Sequence, residues 1–195
     1  MQLNIKKSLS LLLNIIPNTL NKLQLVLFNV QYGTSFKISG LMHIRNRGIL
    51  SIGNNVTINS GLKYNQTGGQ FKSSIVVSHN SNLIIGNNSG FSNSSIYCAE
   101  KITIGDNVLI GGGTRIYDTD FHSLEYERRM TAGDSGINRP VIIKNGAFIG
   151  AGVIILKGTT IGSHSVVGAG AVVSGSIPDN QLWAGNPAKY IRDIE

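Results

Sequence analysis

The chain has 195 residues, of which 41% are apolar and 24 are glycine, a composition that favours a single folded domain. Its one cysteine, Cys98, excludes an intramolecular disulfide and a metal site built on paired cysteines. The net charge is +7, but the basic residues are dispersed and no recognition motif accompanies them, which argues against nucleic acid as a partner.

The positive charge is concentrated in the N-terminal half of the chain. Eight Lys or Arg residues and no Asp or Glu precede Glu100. This asymmetry favours an anionic neighbour, such as a membrane surface, an acidic polysaccharide or a phosphate-bearing ligand. A solvated basic face is the alternative interpretation.

Residues 1–35 form a separate N-terminal segment. Pro17 should end or kink a helix near Ile16, so two short helices are expected. Polar residues such as Asn14 and Lys22 argue against a transmembrane span. We expect a cytoplasmic chain whose helices cap the following domain or contact the inner membrane, with capping favoured. The apolar residues recur at three- or four-residue steps, as in an amphipathic helix: Ile5, Leu9, Leu12, Ile16, Leu20, Leu23, Leu27 and Val30.

From residue 36 onward the sequence has the pattern of short strands, and two runs, residues 104–116 and 143–177, carry a strict repeat. A period of six matches neither a helix nor a simple hairpin array, and marks a repeat architecture. It predicts an all-β, triangular parallel solenoid, with residues 36–90 as irregular first coils. The repeated aliphatic positions are Ile104, Ile110 and Ile116, and then Ile143, Ile149, Ile155, Ile161, Val167 and Val173.

The repeat is interrupted between Ile116 and Ile143, where residues 117–140 must leave the solenoid as an extended loop. This loop carries His122, whose imidazole can serve as a general base near neutral pH. Asp118 and Asp120 are close enough in sequence to orient the ring or to bind acceptor hydroxyls. The alternative is an exposed loop histidine beside solvated carboxylates. The remaining histidines are expected to be structural: His43, His79 and His164.

Residues 102–195 closely resemble the left-handed β-helix hexapeptide acyltransferases, in particular sugar O-acetyltransferases of the galactoside and maltose acetyltransferase type. The landmarks are Ile102-Thr-Ile-Gly-Asp-Asn-Val-Leu-Ile-Gly, the segment from Tyr117 to His122, and the ending Trp183-Ala-Gly-Asn-Pro-Ala-Lys189. Residues 36–101 resemble the family more loosely. The resemblance implies a left-handed parallel β-helix over residues 36–195 with a C-terminal tail at 178–195. It also implies homotrimers with acetyl-CoA bound between subunits, and no metal.

The resemblance also assigns candidate binding residues. Asn93 matches an asparagine that contacts the acceptor or the oxyanion, although Ser92 or Ser94 could fill that role and a corner asparagine is the alternative. The residues expected along the coenzyme A site are Phe148, Ala151, Ala169 and Ser174 beside the pantetheine, and Lys189 and Arg192 near the phosphates.

The expected function is acetyl transfer from acetyl-CoA to a sugar hydroxyl in cell-surface polysaccharide synthesis, with His122 as the base. Three alternatives remain open. They are an N-acyltransferase acting on a nucleotide amino sugar, a γ-type carbonic anhydrase, and a binding solenoid without catalysis. The carbonic anhydrase is disfavoured because catalytic zinc commonly needs three protein ligands and the sequence offers no close histidine pair.

Overall fold

The computed structural model describes residues 2–66, 69 and 71–195, and for residues 2–14 it describes the backbone alone. In this part of the chain, two helices accompany a three-sided solenoid of short strands. The helices are α1 (Gln2–Leu27) and α2 (Tyr126–Arg129). The strands fall on three sheets, named face A, face B and face C, which the chain visits in that order.

Each face is a stack of strands from successive coils. Face A consists of β1 (Gln31–Tyr32), β4 (Ile49–Ile52), β7 (Asn82–Ile85), β10 (Lys101–Ile104), β13 (Val141–Ile143), β16 (Thr160–Ile161) and β19 (Ser176–Ile177). Face B consists of β2 (Lys37–Ser39), β5 (Thr57–Asn59), β8 (Gly90–Ser92), β11 (Leu109–Ile110), β14 (Phe148–Ile149), β17 (Val166–Val167), β20 (Gln181–Ala184) and β21 (Lys189–Asp193). Face C consists of β3 (His43–Asn46), β6 (Ser74–Val77), β9 (Ser95–Cys98), β12 (Arg115–Tyr117), β15 (Ile154–Ile155) and β18 (Val172–Val173).

The six-residue repeat places one aliphatic side chain from each face in a shared core. Parallel neighbours are in register, so that Ile143 lies between Ile104 and Ile161 on face A. Ile143 and Ile155 are completely buried. Each such burial contributes about 1.5–3 kcal/mol relative to an exposed side chain. The structure confirms the predicted solenoid.

A ladder of polar side chains holds the corner between faces A and B. The amide oxygen of Asn54 accepts from the backbone N–H of Thr34, and that of Asn87 accepts from the N–H of Asn54, both at 2.8 Å. Asp106 accepts from Asn87, and Asn145 from Asp106. Left-handed backbone, which Asn tolerates, is found at the adjoining residues Asn55, Asn88 and Asn107.

The N-terminal segment differs from the predicted pair of short helices. α1 is one continuous helix that contains Pro17. Proline removes one intrahelical hydrogen bond, but it does not end the helix here. The physical reason is that the following turns are held by the solenoid: the side chain of Asn21 donates to Gly40 O at 2.7 Å and accepts from Met42 N at 3.2 Å. Tertiary contacts therefore override the local signal.

α1 covers the open edge of the first coil, as capping requires, but with a different side from the predicted apolar stripe. Asn21 and Leu25 face the solenoid and are buried. The stripe residues Ile16, Leu20, Leu23 and Leu27 are exposed, while Ile5, Leu9 and Leu12 lie outside the residues whose side chains are described. Within the described part of the chain, no helix is both long and apolar enough to cross a membrane.

The loop predicted from the broken repeat leaves at the corner between faces C and A. Its base is closed by a bridge between Thr119 and Asn138, and by a hydrogen bond from Asp120 N to Ile137 O at 3.2 Å. At the C-terminus, β21 turns back and pairs antiparallel with β20. This hairpin ends the solenoid on face B.

Candidate active site

His122 is presented outward by an aromatic cluster on face C. The preceding residue, Phe121, has a φ of 65°, a left-handed conformation that is uncommon for a bulky side chain. Its ring centroid lies 4.9 Å from that of Tyr97 and 5.3 Å from that of Tyr117. These contacts hold the turn, so that the side chain of His122 is 71% exposed.

The carboxylate of Asp134 orients the imidazole. Its Oδ2 lies 2.6 Å from Nδ1 of His122, and its Oδ1 accepts the backbone N–H of Ser123 at 2.8 Å. Arg129 fixes the same turn, since its guanidinium donates to Ser123 O at 2.7 Å. Asp134 is only 12% exposed at the side chain, in contrast to the histidine it holds.

The proton on the ring can be assigned from the chemistry of the pair. The pKa of Asp134 is lowered from its ordinary 3.8, first by the hydrogen bond from the Ser123 N–H and then by that from His122. The carboxylate is therefore ionised at neutral pH and can only accept hydrogen bonds. Nδ1 of His122 must carry the proton, which leaves the lone pair of Nε2 free to take a proton from a ligand.

Asp134 was missed by the sequence reasoning, which offered Asp118 and Asp120 as the groups that orient His122. The pair is twelve residues apart and forms only because the loop folds back on itself. No spacing rule for a helix or a strand relates the two positions. The sequence shows only that Asp134 lies in the same loop as His122, which is equally true of Asp118 and Asp120.

Asp118 has a structural role, which corrects its predicted role in orienting the ring or binding the acceptor. It is fully buried. Its carboxylate accepts the backbone N–H groups of Ala99 at 2.6 Å and of Glu100 and Lys101 at 2.8 Å. All of these donors belong to the corner of the preceding coil, so Asp118 ties two coils together and cannot contact a ligand.

Asp120 lies where the loop leaves the solenoid, two residues before His122. Its backbone oxygen accepts the N–H of His122 at 2.8 Å, and its Oδ1 forms an ion pair with Lys157 at 2.7 Å. The other oxygen, Oδ2, is buried and has no hydrogen-bond partner among the described residues. Because Lys157 uses Oδ1 and Oδ2 is buried, hydroxyl binding by Asp120 stays a prediction.

Asn93 occupies the corner between faces B and C, with a φ of 46° and 2% exposure. Its amide oxygen accepts from Gly61 N at 2.7 Å, and its Nδ2 donates to Gly69 O at 3.1 Å. This arrangement matches the corner-asparagine alternative, because both ends of the amide are used within the chain. Within one chain, Asn93 and His122 lie at opposite edges of face C.

Most of the residues assigned to the coenzyme A site follow one side of the solenoid. Phe148 projects from face B and is 48% exposed, while Ala151 and Ala169 lie at exposed corners between faces B and C in successive coils. Ala151 O accepts from the N–H of Gly170 at 2.8 Å, which places these corners in direct contact. Lys189 and Arg192 are on β21, at the end of face B. Ser174 differs, because it follows β18 at the corner between faces C and A.

Two of the cavities among the described residues are lined by neither His122 nor the residues assigned to coenzyme A. The larger, of about 520 Å³, lies between α1 and the first coil, apart from His122, and is lined in part by Lys22 and Lys37. The smaller, of about 170 Å³, lies on face C and includes Tyr97 of the aromatic cluster. Within the described ranges, His, Cys, Asp and Glu side chains form no group of three or more that could hold a metal ion.

Known proteins share this repeat architecture. The family model described as bacterial transferase hexapeptide (six repeats) matches residues 140–175. A protein of Escherichia coli K12, WbbJ, provisionally named a lipopolysaccharide biosynthesis O-acetyl transferase, is 32% identical over 158 residues. The match covers 77% of this chain and 74% of WbbJ. The fold is a left-handed parallel β-helix, and the chain belongs to the hexapeptide-repeat acyltransferase family.

Other relatives are matched over a smaller share of their length. The galactoside O-acetyltransferase of Escherichia coli K12 is 38% identical over 122 residues, which is 62% of this chain and 58% of that enzyme. The chain spans 44–58% of the length of three curated relatives, or about half.

Solved structures agree along most of the chain. A single-residue variant of AntD, an N-acyltransferase from Bacillus cereus in complex with dTDP-4-amino-4,6-dideoxyglucose and coenzyme A, has a TM-score of 0.70 and 26% identity. That match covers 85% of this chain and 83% of AntD. The acetyltransferase VCA0836 of Vibrio cholerae, complexed with acetyl coenzyme A, has a TM-score of 0.57 and 28% identity over 90% of this chain and 76% of its own.

Proposed function

We propose that the protein is an acetyl-CoA-dependent O-acetyltransferase that acts on a sugar hydroxyl, with His122 as the general base. The observation that carries the proposal is the 2.6 Å contact between Nδ1 of His122 and Oδ2 of Asp134 on the exposed loop. A histidine held by a mostly buried carboxylate, with its second nitrogen open to solvent, is the arrangement that proton abstraction from an alcohol requires.

The chemistry follows from that geometry. Nε2 of His122 accepts the proton of the sugar hydroxyl as its oxygen attacks the thioester carbonyl of acetyl-CoA. The tetrahedral intermediate collapses, the carbon–sulfur bond breaks, and the imidazolium returns the proton to the departing coenzyme A thiolate. Asp134 stays ionised and stabilises the imidazolium between these steps. A well-placed base contributes roughly 10²–10⁴-fold to the rate.

The donor would lie along face B. Phe148 and the corner alanines Ala151 and Ala169 offer an exposed track for pantetheine, and Lys189 and Arg192 offer cations for the phosphates. The coenzyme A complexes of AntD and VCA0836 support this choice of donor. Ser174 lies at the corner between faces C and A. It would contact acetyl-CoA only if the donor were bound along face B of a neighbouring chain.

A homotrimer with its sites between subunits accounts for this separation. In a single chain, the loop that carries His122 leaves the solenoid at the corner between faces C and A, whereas the proposed acetyl-CoA site runs along face B. A second copy of the chain placed against the loop would bring the two together. Asn93 of one chain would then lie near His122 of the next, but its amide is buried and used within its own chain, which fits a corner role there.

A role in cell-surface polysaccharide synthesis is supported by the similarity to WbbJ. Such a role would place the protein in the cytoplasm, where it would act at the inner membrane. The outward side of α1 supports membrane contact, since Leu23 and Leu27 are exposed beside Lys22. Sedimentation with anionic vesicles tests this part. Binding should be lost when Leu23 and Leu27 are both replaced by serine, and unchanged binding would contradict it.

A second candidate is N-acyl transfer to a nucleotide-linked amino sugar. It is favoured by the TM-score of 0.70 with AntD, a higher value than that of the VCA0836 complex. The two reactions differ in the acceptor and share the donor. Matched acceptors, one sugar with an amine and its counterpart with a hydroxyl at the same carbon, separate them directly.

The experiment that tests the proposal measures thiol release from acetyl-CoA in the presence of a panel of sugars. His122→Ala should reduce sugar-dependent release at least a hundredfold without changing the circular dichroism spectrum. His43→Ala is the matched control, because it removes another exposed histidine from face C. Full turnover by His122→Ala would overturn the assignment of the base.

A further inference from the structure

A row of outward side chains on face C leads away from the aromatic cluster beside His122. Strand pairing sets Tyr117 beside Tyr97, Tyr97 beside Val76, and Val76 beside Arg45. Neighbouring strands are about 4.8 Å apart, so Arg45 lies about 14 Å from Tyr117 along this face. The row therefore runs from the tyrosines that pack against Phe121, the neighbour of His122, to Arg45 in the first coil.

The arginine end of the row is a small cavity. Arg45, Arg47 and His79 line it, and Tyr97 forms the wall nearest the loop. The hydroxyl of Ser78 lies 3.3 Å from that of Tyr97, which adds two polar groups to the lining. Tyr97 thus belongs both to this cavity and to the cluster that holds Phe121 against the solenoid.

The cavity is positively charged, and nothing in the described part of the chain neutralises it. Neither Arg45 nor Arg47 forms an ion pair with a carboxylate there, and Glu100 at the next corner pairs with neither. No Asp or Glu precedes Glu100 in the sequence. Guanidinium groups bind carboxylate and phosphate through paired N–H donors, and are selected where such anions are recognised.

We propose that Arg45 and Arg47 bind an anionic group of the acceptor while its reacting hydroxyl lies at His122, an inference that rests on the proposed function. Tyr97, which lines the cavity, would contact the sugar rings between the two points, as aromatic side chains do in ligand sites. The span along face C exceeds a single sugar ring. The acceptor is therefore a carboxylated oligosaccharide or a sugar linked to a diphosphate, two sources of the same anionic chemistry.

The test compares anionic acceptors with their neutral counterparts. The pairs are sialyllactose with lactose, for the carboxylate, and uridine diphosphate galactose with galactose, for the phosphate. The variant is Arg45→Gln combined with Arg47→Gln. The matched control, Lys22→Gln combined with Lys37→Gln, removes the same charge from the other cavity of the N-terminal half. Arg45→Lys combined with Arg47→Lys asks whether charge alone is sufficient.

The arginine variant should raise KM about tenfold or more for the anionic member of one pair, with little change in kcat. Its effect should shrink at high salt, and the neutral member should be unaffected. The pair whose anionic member is affected shows whether the anionic group is a carboxylate or a phosphate. Equal losses for both members of a pair, or no loss for either anionic acceptor, would overturn the proposal.

Calorimetric binding without acetyl-CoA separates this inference from the proposed function. If no acceptor releases thiol but sialyllactose or uridine diphosphate galactose still binds, and binding weakens in the arginine variant, the subsite stands and the transfer assignment fails. If both anionic acceptors bind no more tightly than lactose and galactose at millimolar concentration, the subsite is refuted.

Discussion

Nδ1 of His122 lies 2.6 Å from Oδ2 of Asp134, although the two residues are twelve positions apart in an irregular loop. The contact determines which nitrogen carries the proton, and hence which nitrogen can act as a base. It also ties the second half of the loop to the first, since Asp134 accepts the backbone N–H of Ser123 as well. The orientation of His122 and the position of the Ser123 turn therefore depend on the same carboxylate.

Asp134→Asn should lower kcat by roughly 10²-fold while leaving KM for acetyl-CoA nearly unchanged. An amide can donate to Nδ1, which favours the ring tautomer with the proton on Nε2, and it cannot stabilise the imidazolium. Steady-state kinetics of thiol release measure both constants. Glu127→Gln, an acidic residue of the same loop, is the control and should retain activity.

A double variant distinguishes a positioning role from a structural one. If Asp134 acts through His122, then Asp134→Asn should cause no further loss once His122 is alanine. An additional large loss in the double variant would mean that Asp134 contributes to the rate by another route.

The order of the loop should also depend on pH in the acid range. The pKa of Asp134 is lowered by the Ser123 N–H and by His122, so the carboxylate stabilises the folded loop fully above its ordinary pKa of 3.8. This stabilisation is lost as the pH falls through the lower, folded-state value. Amide hydrogen exchange at Ser123 should accelerate in this window, beyond the intrinsic trend. Asp134→Asn should lack this step, and an identical pH profile in that variant would contradict the assignment.

The features that follow a local period were predictable from the sequence. A step of six positions places Ile143, Ile149 and Ile155 at equivalent points of successive sides, and the structure buries all three. The loop was visible because residues between Ile116 and Ile143 break that step. His122 was predicted as the general base for the same reason, as the histidine on the excursion.

Features that depend on contacts between distant segments were not predictable. Asp118 and Asp120 have the same chemistry and nearly the same position, yet only Asp118 meets the backbone donors of the preceding corner. Pro17 is a strong local signal for the end of a helix, but Asn21 bonds to Gly40 and holds α1 in place. In each case the deciding partner lies in another coil, and no spacing along the chain reveals it.

The buried contact between Asp118 and Cys98 provides a reporter for that corner. Burial first, and the charge of Asp118 second, raise the pKa of the Cys98 thiol to about 12. The native thiol should therefore react very slowly with a maleimide at pH 8, because little thiolate is present and access is blocked.

Asp118→Ala should speed this labelling reaction by more than tenfold. The substitution leaves backbone N–H groups of residues 99–101 without their acceptor, at a cost of about 1–3 kcal/mol, and it removes the negative charge beside the sulfur. Activity of the folded fraction should be retained, because Asp118 is too deeply buried to touch a ligand. A labelling rate equal to that of the native protein would show that the corner does not depend on this carboxylate.

Two adjacent isoleucines on β15 allow a matched test of the core. Ile155 is fully buried between Ile116 and Val173 of neighbouring coils, whereas Ile154 points outward and is half-buried. Ile155→Ala should lower the free energy of unfolding by about 2–5 kcal/mol, because it leaves a cavity in the central stack. Ile154→Ala removes the same atoms from the same strand and should cost less than half as much. Denaturant unfolding of both variants at one protein concentration measures the difference, since assembly would otherwise shift the transition. Equal losses would mean that outward contacts, such as those with a neighbouring subunit, stabilise this face as strongly as the stacked core does.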